Sequence, residues 1–79
     1  MSTYDDELFK RKIRQSARFG KVRAADVEAA FWAVCWDLRV AIQQQAPEKM
    51  DAAEETFRKD YLPKFTKVIK NELGIEVIP

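Results

Sequence analysis

Few side chains in this sequence are of a type that does chemistry near neutral pH. It has no histidine, so the usual proton shuttle at pH 7 is missing. Cys35 is the one thiol, and it falls in the uncharged stretch Ala29 to Trp36 on an apolar helix face, where a thiol is normally buried and inert. One cysteine forms no intrachain disulfide, and without histidine it cannot build a zinc site of about four N or S ligands. The carboxylates Asp51, Glu54 and Glu55 read as charges at a helix start and lack calcium-loop spacing. No serine or threonine lies beside an activating group, and no Gly-rich phosphate loop is present. This inventory points to a protein that is not an enzyme and takes no metal or cofactor.

Positive charge is what the sequence does concentrate. Half of its 14 Lys and Arg residues fall between Lys10 and Arg23 (Lys10, Arg11, Lys12, Arg14, Arg18, Lys21 and Arg23), with no acidic residue among them. Lys10, Arg14 and Arg18 recur at i, i+4 spacing and so line one side of a helix. Such a stripe suits an acidic protein surface or a phosphate backbone; it also suits a solvated face paired with acidic residues from Asp26 to Glu55. The partner-binding residues expected here are Lys10, Arg11, Arg14, Arg18 and Lys21.

A second candidate surface is aromatic. Trp32, Trp36 and Val40 stand one turn apart, and tryptophan is over-represented among the residues that anchor interfaces. They are expected either to be covered by neighbouring helices or to form a self-interface in a homodimer.

Four helical segments are expected to position these residues, at about 4–19, 24–44, 48–61 and 63–73. Thr3 is placed to cap the first, Asp5, Asp6 and Glu7 favour its positive end, and Leu8, Phe9, Ile13 and Ala17 form its apolar stripe. Phe19 is read with that apolar face, and Gly20 as the left-handed residue that ends the helix. Arg23 with Asp26, flanked by Val22 and Val27, marks the start of the second helix, which Ala46-Pro47 stops.

Two apolar faces run along that second helix. Val27, Phe31, Val34, Cys35, Leu38 and Ile42 make one; Ala29, Trp32, Ala33, Trp36 and Val40 make the other. A helix apolar on both sides is expected at the centre of a bundle. It also excludes a helix-turn-helix reader, whose second helix must offer polar side chains to base edges. Further on, Met50, Ala53, Phe57 and Tyr61 form a third stripe. Pro63 interrupts it, and Phe65, Val68, Ile69 and Leu73 form a fourth, closed by Gly74 with Ile75 as the apolar contact after the cap. Residues 75–79 are expected as a short extended tail packed on the bundle.

The totals agree with a single all-α domain of three to four helices. With 79 residues, 47% hydrophobic and 34% charged, the chain is composed like a folded protein. Two glycines and three prolines are too few for the many turns of a β-sandwich or barrel. A chain this short buries only about 60% of its unfolded surface, so its core must pack tightly or gain from association. The acidic N-terminus is unlike a secretory signal, and no apolar run approaches the roughly 20 residues of a membrane span. A basic first helix could lie on an anionic membrane, but removing its apolar face from the core would uncover the second helix. No membrane partner is expected, and a lone cysteine fits the cytoplasm.

Association is therefore the expected function. The leading expectation is a small regulator or inhibitor that binds another protein through the basic helix face and exposed aromatics. Chains of this size and inventory are common among phage and mobile-element products, although no motif ties this one to them. The alternatives are a nucleic-acid accessory protein gripping phosphates through Lys10–Arg23, with Lys64, Lys67 and Lys70, and a structural subunit of a larger assembly.

Overall fold

The computed structural model describes residues 5–79, so the expected cap Thr3 and the first expected helical residue, Tyr4, lie outside the described residues. Helix α1 spans Asp6–Ser16, and its cap is Asp5, whose side chain accepts a hydrogen bond from the Leu8 N–H at 3.1 Å. Asp6 and Glu7 occupy the first turn, where carboxylates offset the exposed N–H groups and the helix dipole. Phe9 and Ile13, one turn apart, are fully buried. The helix stops three residues short of the expected Phe19, because Ala17 is extended with φ −69° and ψ 144°.

Phe19 and Gly20 then form a tight turn. Both have positive φ, 54° and 74°, and the flanking residues exchange two backbone hydrogen bonds, Arg18 N–H to Lys21 O at 2.8 Å and Lys21 N–H to Arg18 O at 3.0 Å. These are the φ signs of a two-residue hairpin turn whose twist suits the strands it joins. Gly20 does adopt the left-handed conformation, but it serves this turn rather than a helix end. Phe19 leaves the apolar face of α1 and points into solvent.

The turn leads into strand β1, Lys21–Arg23, which pairs in parallel with β2, Glu76–Ile78. The register sets Lys21 against Glu76, Val22 against Val77 and Arg23 against Ile78. The expected tail thus becomes a strand, which adds a small sheet to an otherwise helical fold. Its partner strand was not expected at all. A three-residue strand has no useful periodicity, and its pairing needs a segment more than fifty residues away. Val22, the central residue, is buried and ties the sheet to the core.

The long second helix is two helices. Helix α2 is Ala24–Val34 and α3 is Trp36–Gln45, separated by Cys35 at φ −99°, ψ 39°. Arg23 is the N-cap residue of α2, as its sequence suggests, but it makes no side-chain capping bond. Val27 and Ala30 of α2 enter the core, whereas α3 has no fully buried residue. Centrality therefore belongs to α2 alone, which packs on α1, α3 and the sheet.

Beyond Ala46 the chain stays helical from Pro47 to Leu73. It runs through a 3-10 turn (Pro47–Lys49), α4 (Met50–Thr56), a π-helical turn (Phe57–Tyr61), α5 (Leu62–Val68) and a second π-helical turn (Ile69–Leu73). Pro63 does not separate two helices. A proline inside a regular α-helix collides with the carbonyl one turn back. Here the preceding turn is widened, and the Leu62 N–H bonds Phe57 O, five residues back. The wide turn also shifts the apolar phase, leaving Phe57 and Ile69 buried while Tyr61 and Val68 face outward. Gly74, at φ 66°, ends the segment as expected, and Ile75 behind it is buried.

The core centres on Phe9, Ile13, Val22, Val27, Phe57 and Ile69, with Phe31 and Phe65 packed against them. Ring centroids lie 4.6 Å apart for Phe31–Phe57 and 4.9 Å for Phe9–Phe65, so aromatic contacts join α1, α2 and the C-terminal stretch. Among the described residues, no helix is long and apolar enough to cross a membrane.

Candidate partner-binding surface

The basic residues of α1 divide by environment. Lys10 is held in place: its Nζ lies 2.9 Å from Asp6, 3.4 Å from Glu72 and 4.0 Å from Glu7. Its side chain is only 14% exposed. The hydrogen bond to Asp6, with a further one to Glu72, raises its pKa above the ordinary lysine value despite partial desolvation. Lys10 is therefore a clasp between α1 and the C-terminal stretch, and its charge is paired within the fold. Asp6, one turn back on the same helix, is the nearer partner, and Glu72, 62 positions away in the chain, ties the lysine to the C-terminal stretch.

Arg11, Arg14, Arg18 and Lys21 stay on the surface, and none forms an ion pair with a described residue. Arg18 is anchored by backbone, its Nη1 donating to the Ala17 and Gln15 carbonyls at 2.9 and 3.2 Å. This holds its stem in place and leaves its charge uncancelled. Arg23, on β1, is exposed as well. The hairpin turn thus brings Arg18, Lys21 and Arg23 to one end of α1, because the chain reverses at Phe19-Gly20 instead of continuing the helix.

Phe19 stands among these cations with its side chain fully exposed, at 101% of its reference area. Beside it lies an open groove of about 670 Å³ with Val22 and Ile78 in its lining and Arg18, Lys21, Arg23 and Asp26 around them. The sequence reading missed Phe19 as a surface residue. The available signal was an X-Gly pair directly before Lys21-Val22-Arg23, which is a hairpin pattern in which Phe is an unusual first residue.

The expected tryptophan face divides by burial. Trp32 is 7% exposed, packed edge-on to Phe31 with centroids 5.0 Å apart and roofed by the Arg39 guanidinium at 5.3 Å. Trp36 is 57% exposed. Both still line one shallow groove with Ala29, Ala33 and Arg39, so the two differ in burial rather than in side. Trp32 is thereby part of the interior, Val40 is half-buried, and Trp36 is the member of that trio open to a second chain. Trp32 Nε1 is buried without a hydrogen-bond partner, which costs about 1–3 kcal/mol in general.

Burial pushes the Cys35 thiol up, so it stays protonated at neutral pH and is a poor nucleophile. Among the described residues, no cluster of three or more Cys, Asp or Glu side chains is arranged to hold a metal ion. Compared with family models, with curated proteins and with solved structures, the chain matches none.

Proposed function

We propose that this chain is a small non-enzymatic regulator or inhibitor that acts by binding another protein through its cation-rich turn. The observation that carries this reading is the grouping of uncancelled Arg18, Lys21 and Arg23 around a fully exposed Phe19. Exposed like charges steer an oppositely charged partner into register, and an apolar anchor at their centre slows its release. A cytoplasmic setting accords with a single buried thiol. Self-association through Trp36 is compatible with this surface, since Trp36 lies on α3, away from the turn.

The test is charge reversal. Immobilised wild-type protein and the Arg14→Glu/Arg18→Glu variant are compared for the proteins they retain, and each purified protein held by the wild type is then titrated against both. The expected result is about 10-fold weaker binding or more by the variant, with an unchanged helical circular dichroism spectrum. Equal affinity would remove the basic surface from the function.

The runner-up reading is phosphate binding by the same cations, with Lys64, Lys67 and Lys70 exposed on the C-terminal stretch. It requires affinity for nucleic acid that falls steeply with salt and varies little with sequence. A random oligonucleotide titrated at two salt concentrations separates the two readings.

A further inference from the structure

Phe19 is poorly explained by folding alone. A bulky residue at φ 54° is a steric outlier, and the turn it occupies is best made by Asn-Gly, which adopts the same geometry with little strain. Nothing in the core takes its ring, which is fully exposed. Strain retained at a solvent-exposed aromatic is the pattern expected where the side chain, not the turn, is needed.

The ring stands at the edge of the groove beside the turn. Buried Val22 and half-buried Ile78 give that groove apolar lining, and Arg18, Lys21 and Arg23 give it positive charge. Its roughly 670 Å³ is within the usual range of ligand pockets. We propose that this groove receives an acidic, apolar-sided segment of a partner protein. Phe19 packs on the segment's apolar side chains, and the three cations pair with its carboxylates. The inference deepens the function proposed above and rests on it.

A nucleic-acid strand fits the groove less well. Proteins that hold single strands stack successive bases on several aromatic rings, whereas Phe19 is the one aromatic among the described residues of this groove.

The test uses the full chain and a defined probe, a helix-forming peptide of Leu and Glu with the leucines on one face. Controls are the same peptide with every Leu replaced by Ala, and an oligothymidine of similar charge. Binding is measured by calorimetry, and the site by NMR shifts at residues 18–23. The expected result is clear preference for the Leu/Glu peptide. The variant Phe19→Asn should bind it about 30-fold more weakly, the size of an anchor-residue effect. The same variant should melt several degrees higher, because the turn loses its strain. Phe19→Gly guards against a misfolded Asn variant and should lose binding likewise.

If both Phe19 variants bind as tightly as wild type while Arg14→Glu/Arg18→Glu does not, the groove inference falls and the basic-surface reading stands. If neither change matters, both fall. Preference for the oligothymidine, equal binding of the Ala peptide, or no binding of the Leu/Glu peptide at millimolar concentration would also overturn the inference.

Discussion

The backbone at Phe19-Gly20 shows how two adjacent residues can solve one problem at different cost. A left-handed φ is free of penalty for glycine, whereas a side chain there meets its own backbone. Beyond its own chain neighbours, Gly20 has no atom within 4 Å of where a Cβ would sit, so a substitution would meet conformational strain rather than a clash. Gly20→Ala is therefore expected to destabilise the protein by about 1 kcal/mol, read as a lower urea midpoint with an unchanged slope. Phe19 already bears strain of that kind, of order 1–3 kcal/mol, in a protein whose total stability is on the order of 4–12 kcal/mol. That fraction is large enough to make an exposed phenylalanine informative.

Among the elements, one lysine clasps α1 to the end of the C-terminal stretch, beside the core contacts of Phe9 and Ile13. Lys10 bridges Asp6 on its own helix and Glu72 on the other segment. Its pKa is raised above 10.5 by those carboxylates. A raised pKa means that the folded state holds the proton more tightly than the unfolded chain does. The stabilisation is therefore fully present below 10.5 and is lost as pH climbs through the higher folded value. Wild type should melt above Lys10→Met at pH 7, and the gap should shrink at pH 11; a gap independent of pH would leave packing of the lysine stem as its contribution. The same scale explains the misread boundaries. Cys35 and the turn at Phe57–Tyr61 change the helical phase by local backbone geometry; Pro63 marks the second place, and no residue type announces the first.

The whole molecule is small for its apolar content. Phe19, Trp36, Leu38 and Tyr61 all stay exposed, although the interior holds a tight aromatic cluster. Covering such surface by a second copy is the commonest route to a symmetric dimer. If Trp36 supplies that contact, light scattering should give the mass of a dimer for wild type and of a monomer for Trp36→Ala. A monomer for both would make Trp36 a surface residue without a role in self-association. Trp32→Ala is the wrong probe, because it removes a buried ring and would lower stability whatever the oligomeric state.

Local pattern was enough for much of the helical framework. The i, i+4 pair Phe9 and Ile13, the start of α2 after Arg23, the stop at Ala46-Pro47 and the Gly74-Ile75 ending all rest on interactions within a turn or two of chain. Such short-range preferences are written in residue spacing and need no partner from elsewhere. The rest came from contacts between distant segments. Glu72 joins the local Asp6 in holding Lys10, β2 turns Lys21–Arg23 into a strand, and the reversal at Phe19-Gly20 gathers Arg18, Lys21 and Arg23 beside a groove. A charge run records which cations exist, and i, i+4 spacing records local pairs such as Asp6 with Lys10; a partner such as Glu72 is brought near only by folding, since pairing over long sequence distance leaves no periodic trace along the chain.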